Sequence, residues 1–347
     1  MAYTTINKST SYFDTKTWSG NNTDPTTISG LNFQPDMVWA KARSGTYSTQ
    51  DHCLNDAVRG ANKILRVNQS NAEETDDNNL KSFTSDGWTM GNDGKINQAS
   101  TEYVGWSWKA NGTGSANTDG TISSTVSANT TAGFSIVKYT GNGTAGATVG
   151  HGLGATMDFA ILRRYTQTSS WLVYHKSLGA TKAIYLNETG AVGTNSSGFN
   201  DTAPTSSVFT LGNGATGNTS SADHIAYCFS EKAGYSKFGS YTGNGSTDGT
   251  FIYTGFKPAW IMFRETGNTN SWRMTDSVRD TYNPKEKSLN ANSNSAEANS
   301  GYTHDALSNG FKIRTTDTNL NRSGGNYIYM AFGQSLVGSN NVPCTAR

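Results

Sequence analysis

An all-β fold of three tandem β-sandwich or jelly-roll-like modules in a pseudo-three-fold arrangement is what the sequence predicts. Three observations carry that expectation: composition, a thrice-repeated order of motifs, and the form of the apolar runs. Charged residues make up only 15% of the chain, whereas eight Trp, sixteen Tyr and fourteen Phe are present. Polar uncharged residues with many aromatics and few good helix formers favour strands joined by turns. Disordered chains are poor in aromatics, so this composition supports a packed core. Lys and Arg number 27 against 26 Asp and Glu, a net charge of +1, which lacks the electrostatic footprint of a nucleic-acid or anionic-membrane binder.

The repeat is read from the N-terminus onward. Tyr139-Thr140-Gly141-Asn142-Gly143 recurs as Tyr241-Thr242-Gly243-Asn244-Gly245, with a degenerate copy at Trp18-Ser19-Gly20-Asn21-Asn22. Asn-Gly marks a turn, here expected to be of the hairpin type. A glycine-led apolar run follows each copy, ending in basic residues at Lys41–Arg43, Arg163–Arg164 and Arg264. Such runs read as buried strands emerging into solvent.

Next come DHCLNDAVRGANKILRVN from Asp51, WLVYHKSLGATKAIYLN from Trp171 and WRMTDSVRDTYNPKEKSLN from Trp272. Alternation followed by a turn and a return predicts a β-hairpin. A helix over Leu54–Leu65 competes, but Gly60 interrupts it and Pro284 interrupts the third copy. Asp86-Gly87-Trp88 and Asn309-Gly310-Phe311 are turn signals before aromatic strands, matched more weakly by Ser207-Val208-Phe209. Each copy closes on an aromatic strand (Tyr103–Lys109, His224–Ser230, Tyr327–Gly333) of the kind buried on both faces. The expected organisation is module 1 at 1–110, a Gly/Ser/Thr/Asn-rich exposed linker at 111–132 anchored by Ile122 and Val126, and module 2 at 133–235. Module 3 spans 236–336 and an extended C-terminal arm 337–347. A continuous solenoid-like β structure is the runner-up.

Chemistry is weakly signalled. The five histidines form no metal-ligand spacing, and Cys53, Cys228 and Cys344 are too scattered for a disulfide framework or zinc site. Cys53 and Cys228 read as small buried hydrophobes. His52 and His175 fall at comparable hairpin places, as paired ligands or as amphipathic strand residues, and the second reading is favoured. Asp56 and Asp276 also match, each followed by Arg59 or Arg279. Two carboxylates could serve glycoside hydrolysis, but a repeated structural Asp–Arg pair fits better. Asp76-Asp77-Asn78-Asn79 offers hard oxygens without an EF-hand pattern, and reads as a solvated loop rather than a calcium site. Trp39, Trp171, Trp260 and Trp272 are candidates for stacking on glycan rings, with core packing as the favoured alternative. Several Asn-x-Ser/Thr triplets, among them Asn21, Asn142 and Asn244, are assigned to chance. No catalytic residue, cofactor or metal is expected. The N-terminus lacks the features of a secretory signal, and no stretch has the apolar length of a membrane span.

Taken together, FSIVKYTGNGT, VGHGLGATMDFAILRR, WLVYHKSLGATKAIYLN, GYSKFGSYTGNGS, YTGFKPAWIMF and GGNYIYMAF resemble a repeated β-rich domain of unassigned function found in marine bacteriophage (cyanophage- or pelagiphage-like) virion structural proteins. YFDTKTWSGN, GLNFQPDMVWAKAR and DAVRGANKIL resemble it too, so the likeness spans nearly the whole chain, with the second copy departing at its missing Asp-Gly-aromatic step. The resemblance implies a virion-associated protein of unassigned activity; with no catalytic motif and no secretory signal, the expectation is a non-enzymatic virion protein made in the host cytoplasm. It would be a surface-exposed tail or fibre component contacting the host cell surface. The alternative is a capsid decoration or head-fibre protein, and a glycan-degrading enzyme ranks behind both. Implied partners are other virion proteins, including further copies of the chain, and a host surface glycan, with no nucleic acid and no membrane insertion.

Overall fold

Each predicted apolar run forms a strand whose two faces are both buried, and the rest of the fold follows from that. The computed structural model describes residues 4–334, and the arm at 337–347 with Cys344 lies outside them. The central strands are Met37–Gly45, Phe159–Arg164 and Lys257–Glu265. Each pairs antiparallel with a closing strand: Thr101–Trp108, Asp223–Phe229 and Asn326–Gln334. The closing strand pairs on its other side with an opening strand, Phe13–Ser19, Phe134–Thr140 or Ser236–Thr242. Beyond each central strand lies the predicted hairpin: Cys53–Asp56 with Gly60–Arg66, Leu172–His175 with Lys182–Tyr185, and Arg273–Asp276 with Lys285–Asn290. Residues 13–108, 115–229 and 236–334 thus contribute one large sheet each, here called the first, second and third segments.

Alternation along a central strand separates two cores. In the first segment Met37 and Trp39 enter a common core, while Val38, Ala40 and Ala42 enter a core confined to that segment. In the second, Phe159 and Ile161 face the common core and Ala160 and Leu162 the local one. In the third, Trp260 and Met262 oppose Ile261 and Phe263 in the same way. The common core draws Trp39, Trp106 and Trp108, Tyr227 and Phe229, and Trp260 and Phe332 together. A void in it, between Trp39, Trp108, Tyr227 and Trp260, is about 10 Å³. That is no larger than the about 10–15 Å³ one water needs, so its apolar lining stays dry.

The YTGNG repeat is a clamped turn. Trp18, Tyr139 and Tyr241 stack on Tyr103, His224 and Tyr327, with centroids 5.5, 5.2 and 4.8 Å apart. The next Asn donates its backbone N–H to a buried Asn side chain: Asn21 to Asn97, Asn142 to Asn218, Asn244 to Asn321. Its own Oδ1 accepts from the backbone N–H two residues on, at Thr23, Thr144 and Ser246. Asn22, Gly143 and Gly245 follow with φ of 57°, 71° and 70°, the left-handed region that Asn tolerates and Gly takes freely. Hence the degenerate first copy keeps the turn. The expected hairpin is corrected: the next strand pairs elsewhere, as when Ala147–Gly150 joins Val208–Leu211. The Asn at these sites is held by the turn, which uses its side-chain oxygen, whereas the third residue gives only a backbone N–H that any residue but Pro supplies.

The linker expectation changes as well. The linker at 111–132 carries strands Ser115–Asn117 and Ser124–Asn129, the second of which pairs with Phe134–Thr140. Its Ser/Thr-rich face is solvated while Ser124, Val126 and Ser127 are buried, which composition alone reads as linker. Short helices Gly94–Asn97, Ala215–Asn218 and Thr318–Asn321 precede the closing strands and end on the buried Asn. Overall the fold is nearly all β, with several sheets. The third segment's sheet begins with Ser236–Thr242 and ends with Phe251–Tyr253, neighbours in sequence, so it curls into a nearly closed barrel-like form.

Asn218→Ala should lower stability by about 2–4 kcal/mol, since its side chain holds the N–H of Asn142 and the carbonyls of Thr144 and Gly212. Denaturant unfolding measures this; a loss below about 0.5 kcal/mol would reject the clamp, being the range of an ordinary surface change.

Candidate functional site

The densest concentration of buried polar groups lies where the three segments meet around the common core. Three backbone bonds at matching places run between them in one sense, while Ser169 N–H to Ser70 O and Asn270 N–H to Thr189 O run in the other. Glu73 N–H donates to Tyr165 O at 2.8 Å, Val192 N–H to Thr266 O at 2.9 Å, and Glu297 N–H to Arg43 O at 2.8 Å. These join first to second, second to third and third to first. Side chains close the ring in the opposite sense: Trp171 Nε1 reaches Arg66 O at 3.1 Å, Trp272 Nε1 reaches Tyr185 O at 3.0 Å, and His52 Nε2 lies 3.0 Å from Asn290 O. The three acceptors sit at matching hairpin places, each the end of its return strand. A solenoid contacts only neighbouring units, so the direct bonds between first and third segments overturn that alternative.

At the hairpin turns a charged triad recurs twice and is replaced once. Asp56 Oδ2 takes Arg59 Nε at 2.6 Å, and Arg59 Nη1 reaches Glu73 at 2.8 Å. Asp276, Arg279 and Glu297 repeat this at 2.5 and 2.8 Å. Each Asp also accepts from a neighbouring segment: Tyr227 Oη donates to Asp56 at 2.7 Å, and Trp106 Nε1 to Asp276 at 3.0 Å. Register places His175, opposite Phe159, where Asp56 faces Met37 and Asp276 faces Trp260. There the triad reads His175, Leu178, Val192. The neighbour is Met330, which has no donor, and His175 Nε2 lies 3.2 Å from Tyr329 O instead. At this place a donor faces a carbonyl where the other two segments set a carboxylate against a donor.

This register corrects the pairing of His52 with His175. His52 is equivalent to Trp171 and Trp272, its backbone N–H held by Asn68 as theirs are by Asn187 and Asn292. Its Nδ1 accepts from Trp39 Nε1 at 2.9 Å. The Asp–Arg equivalence of Asp56 and Asp276 does appear in the structure. The proposed glycan-stacking indoles do not reach solvent: Trp39, Trp171, Trp260 and Trp272 are at most 2% exposed and belong to the common core. The core role favoured from the sequence is therefore the one they take, and what local sequence does not reveal is which segments cover them.

The arrangement holds shape and offers no accessible acid or base. Burial pushes His52 well below the ordinary imidazole range, His175 and His224 down to about 4, and His304 down to about 3. Burial likewise raises the Cys53 thiol to about 12 and holds Tyr227 well above the usual phenol range. Asp56 and Asp276 are each closed off by arginine and at most 3% exposed, so a sugar cannot lie between them. By the Asp76 loop, Lys95 Nζ sits 3.1 Å from Asp93, 3.4 Å from Glu74 and 3.6 Å from Asp76, where it supplies the positive charge itself. Among the described residues no His/Cys/Asp/Glu group has the geometry to hold a metal ion, and no helix is long and apolar enough to cross a membrane.

Exposed aromatics lie elsewhere. Among the described residues Tyr47 of the first segment is 40% exposed, and Phe251, Tyr253 and Tyr282 of the third are 45%, 58% and 82% exposed. The alternation Phe251-Ile252-Tyr253, with Ile252 buried, is the sequence signal that two rings point outward.

Two predictions follow from the buried groups. His175→Asp should cost about 3 kcal/mol or more, since the new carboxylate meets the Tyr329 carbonyl with no arginine and no side-chain donor beside it, only the Ser177 N–H that now bonds His175 Nδ1. Adding Met330→Tyr should recover part of that loss, and a double-mutant cycle by denaturant unfolding with no coupling would refute the exchange of roles. The second concerns pH. The folded pKa values of His175, His224 and His304 lie below the unfolded value of about 6.5. Their contribution is therefore present above pH 6.5 and is lost as pH falls toward 4, at up to about 1.4 kcal/mol per pH unit for each. His304→Gln should flatten the pH dependence of the unfolding midpoint in that window.

No curated protein and no solved structure matches the chain. A family model described as a domain of unknown function (DUF7483) matches residues 8–335, almost the full extent of the sheets and ring above. The chain therefore belongs to the DUF7483 family.

Proposed function

We propose that this chain is three tandem copies of one β unit closed as a pseudo-three-fold ring, and that it serves as a non-enzymatic structural component of a bacteriophage particle. In this reading it lies on the tail or fibre surface and contacts the host cell, with other virion proteins and further copies of itself as neighbours. The ring of buried contacts carries the reading. Polar groups that resemble catalytic ones are spent on joining the segments, as a scaffold requires. Likeness of the repeat motifs to marine phage virion proteins supplies the particle context.

A second reading has its own support. A closed ring of three equivalent segments suits a three-fold position on a shell, where one chain would stand in for a trimer. That favours a capsid decoration or head-fibre role.

Electron microscopy of particles carrying the labelled chain separates the two: density at the tail is expected, and density spread over the head would overturn the tail assignment. Incubation with host-envelope polysaccharide should release no reducing ends. Their appearance would overturn the non-enzymatic assignment.

A further inference from the structure

The outer face of the third segment differs from its counterparts in a way that ring closure does not require. Strand Phe251–Tyr253 pairs with Gly310–Ile313, which pairs with Ala298–Leu307. Paired residues share a face, so Phe251, Lys312 and Asp305 form one outward row and Tyr253, Gly310 and Leu307 the next. Gly310 answers a close backbone approach, since a Cβ there would stand 2.1 Å from Ile252 O, as one at Gly87 would stand 1.8 Å from Ile28 O; Phe251 Cε2 lies 3.1 Å from the same point. Corresponding strands of the other segments carry no such surface. Thr26–Ile28 has no aromatic residue, and Ala147–Gly150 buries Ala147, Val149 and Gly150.

Beside this row lies an open depression of about 470 Å³ lined by Thr247, Asp248, Pro284, Thr303, Asp305 and Arg314. Tyr282, 82% exposed, stands two residues before Pro284. Lys312 Nζ meets Asp248 at 2.5 Å and Arg314 Nε meets Asp305 at 3.2 Å, so two carboxylates balance two cations. Asp248 and Arg314 side chains remain 80% and 42% exposed and can still bond a ligand.

We propose that this face is a binding platform for a neutral oligosaccharide. The aromatic rings offer apolar surfaces to the C–H faces of a sugar. The Asp and Arg side chains offer fixed acceptors and forked donors to hydroxyls, each of which both donates and accepts. Charge balance selects a neutral ligand over an anionic one. A depression of this volume has the size of a small-ligand site. The proposal deepens the host-contact reading and rests on it.

The full-length chain is tested on arrayed glucose-, galactose- and mannose-terminated oligosaccharides, with uronic-acid oligosaccharides alongside, and its best neutral match is titrated by calorimetry. Saturable neutral-sugar binding is expected, weakened at least tenfold by Tyr253→Ala with Tyr282→Ala while the unfolding midpoint stays unchanged. Absence of neutral binding, preference for the acidic set, or indifference to the double variant each overturns the platform. Capture of the labelled chain on host cells separates this from the broader reading. Capture that the double variant leaves intact sinks the platform and keeps host contact. Capture lost in the variant but not competed by the free neutral sugar points to a protein receptor and overturns the carbohydrate assignment. No capture at all overturns host contact itself.

Discussion

Burial of both faces of each central strand is the constraint on which the structure depends. One face is covered by a segment's own strands and one by the other two segments, so no segment completes its burial alone. Trp39, Ile161 and Met262 occupy matching positions and all turn inward to the common core. Fully burying a large apolar side chain contributes about 1.5–3 kcal/mol. A neutral hydrogen bond contributes a net of about 0.5–1.5 kcal/mol. With Trp106, Trp108, Trp171, Trp260, Trp272, Phe134, Phe159, Phe229, Phe238 and Phe332 in that core, apolar burial outweighs the few bonds between segments. The polar ring supplies orientation instead, since a misplaced Trp171 or Glu73 would leave its partner carbonyl unpaired in a dry interface.

This division of labour explains which parts were legible in the sequence. Strand type and hairpins follow from alternation and from Asp-Gly or Asn-Gly steps, as at Gly87 and Gly310, whose strands start where the turn signal predicts. The Asp56–Arg59 and Asp276–Arg279 pairs are local in sequence and were visible for that reason. What could not be read was partnership across segments. His175 looks like His52 by position in a motif, yet pairing register sets it with Asp56. Trp39 and Trp260 read by preference as core residues, but the layer that covers them comes from other segments and has no local signal. The clamp residues Asn97, Asn218 and Asn321 escaped notice because a lone Asn carries no signal apart from the loop it holds, 75 or so residues away.

The second segment shows how such a scaffold tolerates divergence. Replacing Asp, Arg and Glu by His175, Leu178 and Val192 removes two carboxylates and a guanidinium together, so no buried charge is left unpaired. Changing a single member would have left one, at about 3–5 kcal/mol. The backbone bond at that place, Val192 N–H to Thr266 O, is kept at 2.9 Å. Geometry is therefore carried by the main chain, and side chains change in compensating sets.

Outer faces obey no such coupling. A residue such as Tyr253 or Tyr282 touches neither the common core nor the ring, so its replacement leaves register and burial unchanged. Surface chemistry can then vary segment by segment: Thr26–Ile28, Ala147–Gly150 and Phe251–Tyr253 occupy one structural place with three unrelated surfaces. A fold with a closed interior and freely variable exteriors places any recognition it performs on those exteriors. Among the described residues the third segment gathers three exposed rings beside balanced, solvent-reachable charge, so surface recognition is better served there than at the buried groups that first resemble chemistry.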